Sequence, residues 1–322
     1  MKRSIFVAGA GAFAAGSLGV SASAQSMPKI LVGYWPISSA LPFFVAAQKG
    51  LWKDAGVDVE MVKFSDQVKV TEALLAGRID ATATGTGSTQ LALAEAASPN
   101  FFKILGANLS SEKSILDEVI VAKDAPYKRI SDLKGKKLAT GVGPQAALEA
   151  KLIFGKNGID GPIQELLPSQ HIAAIVSGQI DAAYTYEPNG TVGRLNGTTR
   201  VLESGVRSKY MLGNGEAPWY GGAAVISTDA LKNKAAGIKP YVIGMKRGFA
   251  MVRSDLNGAR AVYPAYTTMD AKLAEAIPEI QYTLYDEFKP SDLRYFQDNF
   301  DLFYGQKILS RKLDVAGMLY KG

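Results

Sequence analysis

The chain has no cysteine and a single histidine, His171. Without cysteine there is no disulfide, no thiol nucleophile, no thiol for attaching a lipid and no His/Cys metal set. His171 stands beside an apolar helical run and reads as a helix-start residue; no Ser-His-Asp arrangement has motif support. No Walker sequence occurs, and Gly85-x-Gly87 lacks the third glycine and the helix-start context of a dinucleotide loop. The expectation is a protein that is not an enzyme and needs no cofactor or metal. Acidic residues are missing from residues 1–24, and the apolar run there is short of the ~20 strongly apolar residues a membrane span needs.

Residues 1–24 do contain the parts of an export signal. Lys2-Arg3 come first, small and apolar residues fill Ile5 to Val20, and Ala22-Ser23-Ala24 precede Gln25. That order predicts a signal peptide cut after Ala24 and a soluble protein in a Gram-negative periplasm, with no membrane insertion. Loss of Lys2 and Arg3 would lower the formal net charge from +6 to +4. The basic residues are dispersed except for Lys134-Gly135-Lys136-Lys137, which reads as a helix-to-strand loop. Nucleic acid is therefore not an expected partner.

The strongest internal signal is a repeat. Gly77-Arg78-Ile79-Asp80-Ala81-Thr82-Ala83-Thr84 returns as Gly178-Gln179-Ile180-Asp181-Ala182-Ala183-Tyr184-Thr185. Each copy follows an apolar helical run, so Gly77 and Gly178 stand where a helix ends with positive φ. Ile30-Leu31-Val32-Gly33 is likewise echoed by Leu138-Ala139-Thr140-Gly141, and Lys53–Asp58 by Gly155–Asp160. Each half then reads strand, helix, strand, helix, strand, which is the pattern of a parallel α/β layer. Two such units argue for two lobes. Their expected limits are 25–112 for the first part of lobe one and 113–222 for lobe two. Residues 223–322 supply a return strand and C-terminal helices that close lobe one.

Within these limits Ser38 or Ser39 can cap a helix, and Gly50-Leu51-Trp52 reads as a turn. Crossings between lobes fall at Asn108–Asp117 and Ala217–Gly222, with Trp219-Tyr220 exposed. Asn189–Gly215 reads as loops around a short strand. From Asp229 the chain reads as almost all helix, with Pro240 starting Tyr241–Val252 and Ser291 capping Asp292–Phe303.

In open α/β sheets, ligands bind beyond the carboxyl ends of the strands, where unpaired N–H groups at helix starts favour negative charge. In lobe one those ends offer Trp35, Ser38, Ser39, Thr84, Gly85 and Thr86. Lobe two offers Gly143, Pro144, Gln145, Tyr184, Tyr186 and Glu187. Taken singly, each serine or threonine reads as a cap or turn residue; the matching positions in a duplicated unit make them candidate contacts. Glu187, before Pro188, either caps the next helix or faces the cleft. Trp35, Tyr184, Tyr186, Trp219 and Tyr220 either pack at the sheet rim or sandwich a planar or aliphatic ligand.

These residues resemble the periplasmic substrate-binding proteins of ABC importers, in the nitrate/sulfonate/taurine branch that also includes thiamine-pyrimidine binders. The resemblance rests on Gly33-Tyr34-x-Pro36, Lys49-Gly50-Leu51-Trp52-Lys53-Asp54-Ala55-Gly56-Val57-Asp58-Val59 and Ala76-Gly77-x-Ile79-Asp80. It continues through Ile130-x-Asp132-Leu133-Lys134-Gly135-Lys136-Lys137 and Gly178-x-Ile180-Asp181-Ala182 to Tyr186-Glu187-Pro188. It implies a type II periplasmic binding protein, with a ligand cleft between two Rossmann-like lobes. It implies as partners a small-molecule ligand and the transmembrane subunits of an ABC permease, for a protein expected to be a monomer. The loop after the third strand departs from the family's frequent Gly-Asp, being Thr84-Gly85-Thr86-Gly87. With no evident basic clamp, the expected ligand is a small organic anion held mainly by neutral donors, a sulfonate first. A nitrogen heterocycle is the alternative ligand, and a sensor input to a signalling kinase the alternative role.

Overall fold

Each copy of the repeat joins a helix to a strand and then ties that strand to the one that opened its unit. In the computed structural model, which describes residue 1 and residues 27–322, Gly77 and Gly178 take φ of 65° and 72°. Both sit in the left-handed region that glycine enters without penalty. The aspartates then reach back: Asp80 Oδ2 accepts the Leu31 N–H at 2.7 Å, and Asp181 Oδ2 accepts the Lys137 N–H at 2.8 Å. Ile79 and Ile180 are buried beneath them. The motif is structural in both halves. The expected export signal and its cut after Ala24 lie outside the described residues.

The strands in chain order are β1 (Lys29–Tyr34), β2 (Asp58–Lys63), β3 (Ala81–Thr82), β4 (Thr86–Gly87) and β5 (Phe102–Ser110). Then come β6 (Asp117–Ala122), β7 (Leu138–Thr140), β8 (Ile163–Glu165), β9 (Ala182–Tyr186) and β10 (Thr199–Ser204). The last two are β11 (Trp219–Ser227) and β12 (Gln281–Leu284). One sheet has the order β12-β5-β11-β3-β1-β2, with β4 on β11; the other is β10-β6-β9-β7-β8. β3-β1-β2 and β9-β7-β8 are parallel, as the strand–helix alternation predicts. An antiparallel strand flanks each trio, β11 beside β3 and β6 beside β9. The two halves therefore share a core of one parallel trio with an antiparallel neighbour, α/β in both, within sheets of seven and five strands.

The crossings differ in detail from expectation. Asn108 lies inside β5, and β11 begins at Trp219 rather than at 223. Trp219 and Tyr220 are fully buried, not exposed: Trp219 packs against Phe303 and Tyr220 stacks on Phe296. The segment expected as loops carries two short helices, Asn189–Leu195 and Val206–Met211, on either side of β10. Its glycines are there for close packing. A Cβ on Gly190 would meet Glu118, and one on Gly193 would meet Thr199. Tertiary contact overrides the weak helix propensity of that stretch.

Elsewhere, Leu51–Ala55 is a helix rather than a turn, and neither Ser38 nor Ser39 caps the helix Leu41–Gln48. Helix Ala235–Ser254 runs through Pro240 instead of starting after it. Packing holds it: Tyr241 stacks on Trp52, whose Nε1–H donates to the Tyr241 carbonyl at 3.0 Å. The C-terminal part is not all helix, because β12 adds to the outer edge of β5. Helix Pro290–Gly305 is closed by Asp292, which accepts the Lys289 N–H at 3.0 Å, and not by Ser291.

Candidate functional site

The carboxyl ends of β1 and β3 face those of β7 and β9 across a cleft, and two spaces lie between them. The inner one is a chamber of about 10 Å³, the size of one water site. Trp35, Gln67, Gly85, Asn108, Gly221 and Gly222 from the first sheet's side line it, together with Gln145, Tyr186 and Arg207 from the second. The outer one, of about 480 Å³, opens at the rim and shares Trp35 and Tyr186 with the first.

Arg207 dominates the chamber. It is 2% exposed, and the start of its short helix brings its backbone N–H onto Asp117 Oδ2 at 2.9 Å. Its guanidinium Nε lies 3.1 Å from Asp117 Oδ1, and Nη1 lies 3.6 Å from Glu149 Oε1. The Tyr186 ring sits 5.3 Å beneath it. Among the described residues Nη2 has no hydrogen-bond partner. Gly221 makes room for the group, since a Cβ there would stand 2.1 Å from Nη1. The expectation of a cleft without a basic group is therefore overturned.

Glu149 is the hub on the other side. Its Oε2 accepts the Tyr184 hydroxyl at 2.6 Å and the Tyr186 hydroxyl at 3.0 Å, and its Oε1 accepts Gln145 Nε2 at 2.9 Å. Burial, and after it the Glu149 charge, push both phenols well above their ordinary range, so they stay protonated donors. Two carboxylates thus face one guanidinium.

The loop after β3 was expected to offer free donors, and its hydroxyls are spent locally. Thr84 Oγ1 donates to the Ser39 carbonyl at 2.6 Å, Thr86 Oγ1 to Ala83 at 3.0 Å, and Ser88 Oγ to Tyr220 at 2.8 Å. The Gly85 N–H goes to Asn108 Oδ1 at 2.8 Å, and Trp35 Nε1–H to the Gly85 carbonyl at 2.9 Å. Helix Ser88–Ala97 starts directly after Gly87, so the expectation of no helix start there is overturned. Its Thr89 N–H takes Gln145 Oε1 from the opposite lobe at 3.2 Å.

Of the other expected contacts, Trp35, Gly85, Gln145 and Tyr186 line the chamber. Tyr184 lies behind Glu149, and Trp219 is packed into the first lobe's core. Ser38 Oγ reaches the Glu187 carbonyl across the cleft at 3.5 Å, while Ser39 Oγ is buried without a partner among the described residues. Gly143 turns the chain at φ 100° against Gln90, and Pro144 is exposed in the first helical turn. Glu187 lines the outer pocket, yet its carboxylate turns inward to cap a helix: Oε1 accepts the Thr191 hydroxyl at 2.9 Å. Behind it lies Glu118, and burial pushes that carboxyl up to about 9. Burial raises Glu187 too. His171 is buried and neutral, lowered by burial to about 4, with Nδ1 2.9 Å from Thr185 Oγ1.

Sequence reading passed over Arg207, Glu149, Asp117 and Asn108. One signal was available for Glu149: Gln145 and Glu149 stand four apart on the buried face of helix Pro144–Lys156, among alanine, leucine and phenylalanine. Arg207 had none, because its segment reads as loop.

Several known proteins are similar to this chain in sequence or in fold. The aliphatic sulfonates-binding protein of Escherichia coli K12 is 23% identical over 95% of this chain and 94% of its own. A binding protein of Brucella abortus is 31% identical over 161 residues, 49% of this chain and 46% of that protein, so the match spans about half that relative's length. Among solved structures, the alkanesulfonate-binding protein SsuA of Xanthomonas axonopodis pv. citri, bound to MOPS, superposes with a TM-score of 0.72. Its identity is 21%, over 92% of this chain and 99% of that one. The periplasmic nitrate-binding protein NrtA of Synechocystis PCC 6803 gives a TM-score of 0.67 at 13% identity, over 91% and 85%. The fold is that of the two-lobed periplasmic binding proteins. Residues 38–217 match the family described as NMT1/THI5 like. The chain belongs to the NMT1/THI5-like family.

Proposed function

We propose that the chain is the solute-binding component of an ABC importer, which closes on a small organic solute and hands it to the membrane permease. The first choice of ligand is an organic anion such as a sulfonate. One observation carries this: Arg207, whose Nη2 has no partner among the described residues, lines the chamber together with Gln145, whose amide oxygen accepts the Thr89 N–H at the start of helix Ser88–Ala97. A ligand oxygen can replace Gln145 Oε1 there and meet the guanidinium at the same time. The anion is then read by a buried arginine as well as by neutral donors.

A second ligand class has its own support. Asp117 and Glu149 together outweigh Arg207 in charge, which favours a solute with an N–H or cationic group, as in an aminosulfonate or a nitrogen heterocycle. Calorimetric titration with alkanesulfonates, taurine and aminopyrimidines separates the two. Binding of pyrimidines with no response to any sulfonate or carboxylate rejects the anion reading.

The same proposal takes lobe one as 25–112 with 219–322, lobe two as 113–218, and the two connections as the hinge of a monomer. No helix among the described residues is long and apolar enough to cross a membrane. Export with a cut after Ala24 is part of the reading, and N-terminal sequencing of the secreted form that retained residues 1–24 would reject it. Uptake of labelled solute by a deletion strain separates import from a sensing role.

A further inference from the structure

The chain has five Asn-Gly steps, at Asn157, Asn189, Asn196, Asn214 and Asn257. An asparagine loses its side-chain ammonia when the next backbone nitrogen reaches its carboxamide carbon, and glycine, without a Cβ, leaves that nitrogen open to approach. In this fold four of the steps are held away from the reaction. The Gly158 N–H donates to the Gly155 carbonyl at 3.0 Å and the Gly197 N–H to that of Arg194 at 3.2 Å. The Gly258 N–H donates to Asp255 Oδ1 at 2.9 Å. The Asn189 carboxamide is buried, with Nδ2 on the Pro168 carbonyl and on Thr185 Oγ1.

Asn214 is exposed and lies outside any helix or strand, between helix Val206–Met211 and β11. The Gly215 N–H meets no backbone carbonyl among the described residues. Asn214 Oδ1 accepts the Glu216 N–H at 3.0 Å. That bond closes a ring over the Gly215 peptide and holds the carboxamide carbon beside the Gly215 nitrogen. It also aims a donor at the oxygen that takes up charge when the nitrogen adds. We infer that Asn214 is a self-modification site. The Gly215 nitrogen bonds to Asn214 Cγ as its proton passes through solvent to the leaving group; the Cγ–Nδ2 bond breaks, ammonia departs and a succinimide remains. Water then opens the ring at either carbonyl, to aspartate or to isoaspartate.

The position gives the step its consequence. The Gly215 carbonyl accepts the Glu112 N–H at 2.9 Å, and Lys113 Nζ lies 2.7 Å from Glu216 Oε1. This segment is therefore tied to residues 111–116, the connection from β5 to β6. Isoaspartate puts an extra carbon into the chain just before Gly215 and moves that carbonyl away from Glu112. Either product adds negative charge where the Glu112 carboxylate already lies against Gly215.

The test is peptide mapping by mass spectrometry of the full chain aged in heavy-oxygen water at mildly alkaline pH, folded and in urea. In the folded chain Asn214 should take up label about tenfold ahead of the other steps, the factor that freeing a bonded glycine N–H takes from their rates. In urea all the Asn-Gly steps should react alike. Another step leading in the folded chain, equal rates there, or no label at Asn214 overturns the inference. So does a lead for Asn214 that persists in urea, which would belong to local sequence and not to the fold. Hydrogen exchange at the Glu112 N–H should quicken in the aged chain and stay unchanged in Asn214→Ser aged alike, since serine has no carboxamide to lose. Equal exchange in the two overturns the loosening of the connections.

Discussion

Gln145 Nε2 donates to the carbonyl of Gly221 at 3.1 Å, a side chain of the second lobe reading the backbone of the first. The same amide accepts the Thr89 N–H, so one side chain holds two points of the opposite lobe. It occupies the place proposed for a ligand oxygen, and the closed form is held by the protein's own carboxamide.

Gln145→Ala removes both bonds. At about 1 kcal/mol each, their loss shifts the closed-to-open ratio by roughly 10- to 30-fold. Small-angle scattering of the unliganded variant should give a larger radius of gyration than the parent. An unchanged radius means that the amide does not hold the lobes together.

Arg207→Met leaves Asp117 and Glu149 buried without their counter-charge. Breaking such a network from one side costs about 3–5 kcal/mol. Urea unfolding should show a loss of that size, and a loss below about 1 kcal/mol would mean that water already compensates the carboxylates. Arg207→Lys keeps the charge but not the fork, and should recover stability in part while weakening the hold on an anion.

Stability should fall as pH rises through the window set by Glu118. Its carboxyl titrates near 4.5 in the unfolded chain and is raised by burial to about 9 in the fold. The folded state therefore holds the extra proton, the contribution is complete below about 4.5, and it is lost progressively towards 9. His171, lowered from 6.5 to about 4, acts in the opposite sense and removes stability as pH drops from 6.5 towards 4. Glu118→Gln should flatten the alkaline limb of a thermal-melting profile. An unchanged limb would show that Glu118 is not the group responsible.

The two aspartates of the repeat should differ in worth. Asp80 Oδ2 accepts the half-buried Leu31 N–H and pairs with Lys234 at 2.6 Å, whereas among the described residues the Asp181 carboxylate meets the exposed Lys137 N–H alone. Asp80→Asn is expected to cost about 1–3 kcal/mol and Asp181→Asn about 1 kcal/mol or less. Equal losses in denaturant unfolding would contradict this ranking.

The repeat was legible because its physics is local: a glycine with positive φ and an aspartate reaching the strand beside it leave the same mark twice. The parallel order of both trios followed from strand–helix alternation alone. The chamber was legible in part. Trp35, Gly85, Gln145 and Tyr186 line it because they sit where strands end. The hydroxyls of Thr84 and Thr86 sit there too, but short loops satisfy their own donors first, and sequence cannot say which carbonyl is near. Arg207 was hidden for a different reason. A helix of six residues after β10, rich in polar neighbours, carries no periodic signal, and its burial depends on Gly221 in a strand of the other lobe.

β11 occupies in the first lobe the place that β6 occupies in the second, but the two arrive at different times. The second sheet is built from one unbroken run, β6 to β10, and can assemble as soon as that run leaves the ribosome. The first sheet must hold β3 and β5 apart, with their edges open, until Trp219–Ser227 slides between them. Its closure depends on pairings more than a hundred residues apart in sequence, which are slow to form. Pulse-labelled hydrogen exchange during refolding should protect Val119 and Tyr184 before Val225, and simultaneous protection would contradict that order. If it holds, the second lobe is the template, and the open edges of the first are where a stalled chain aggregates.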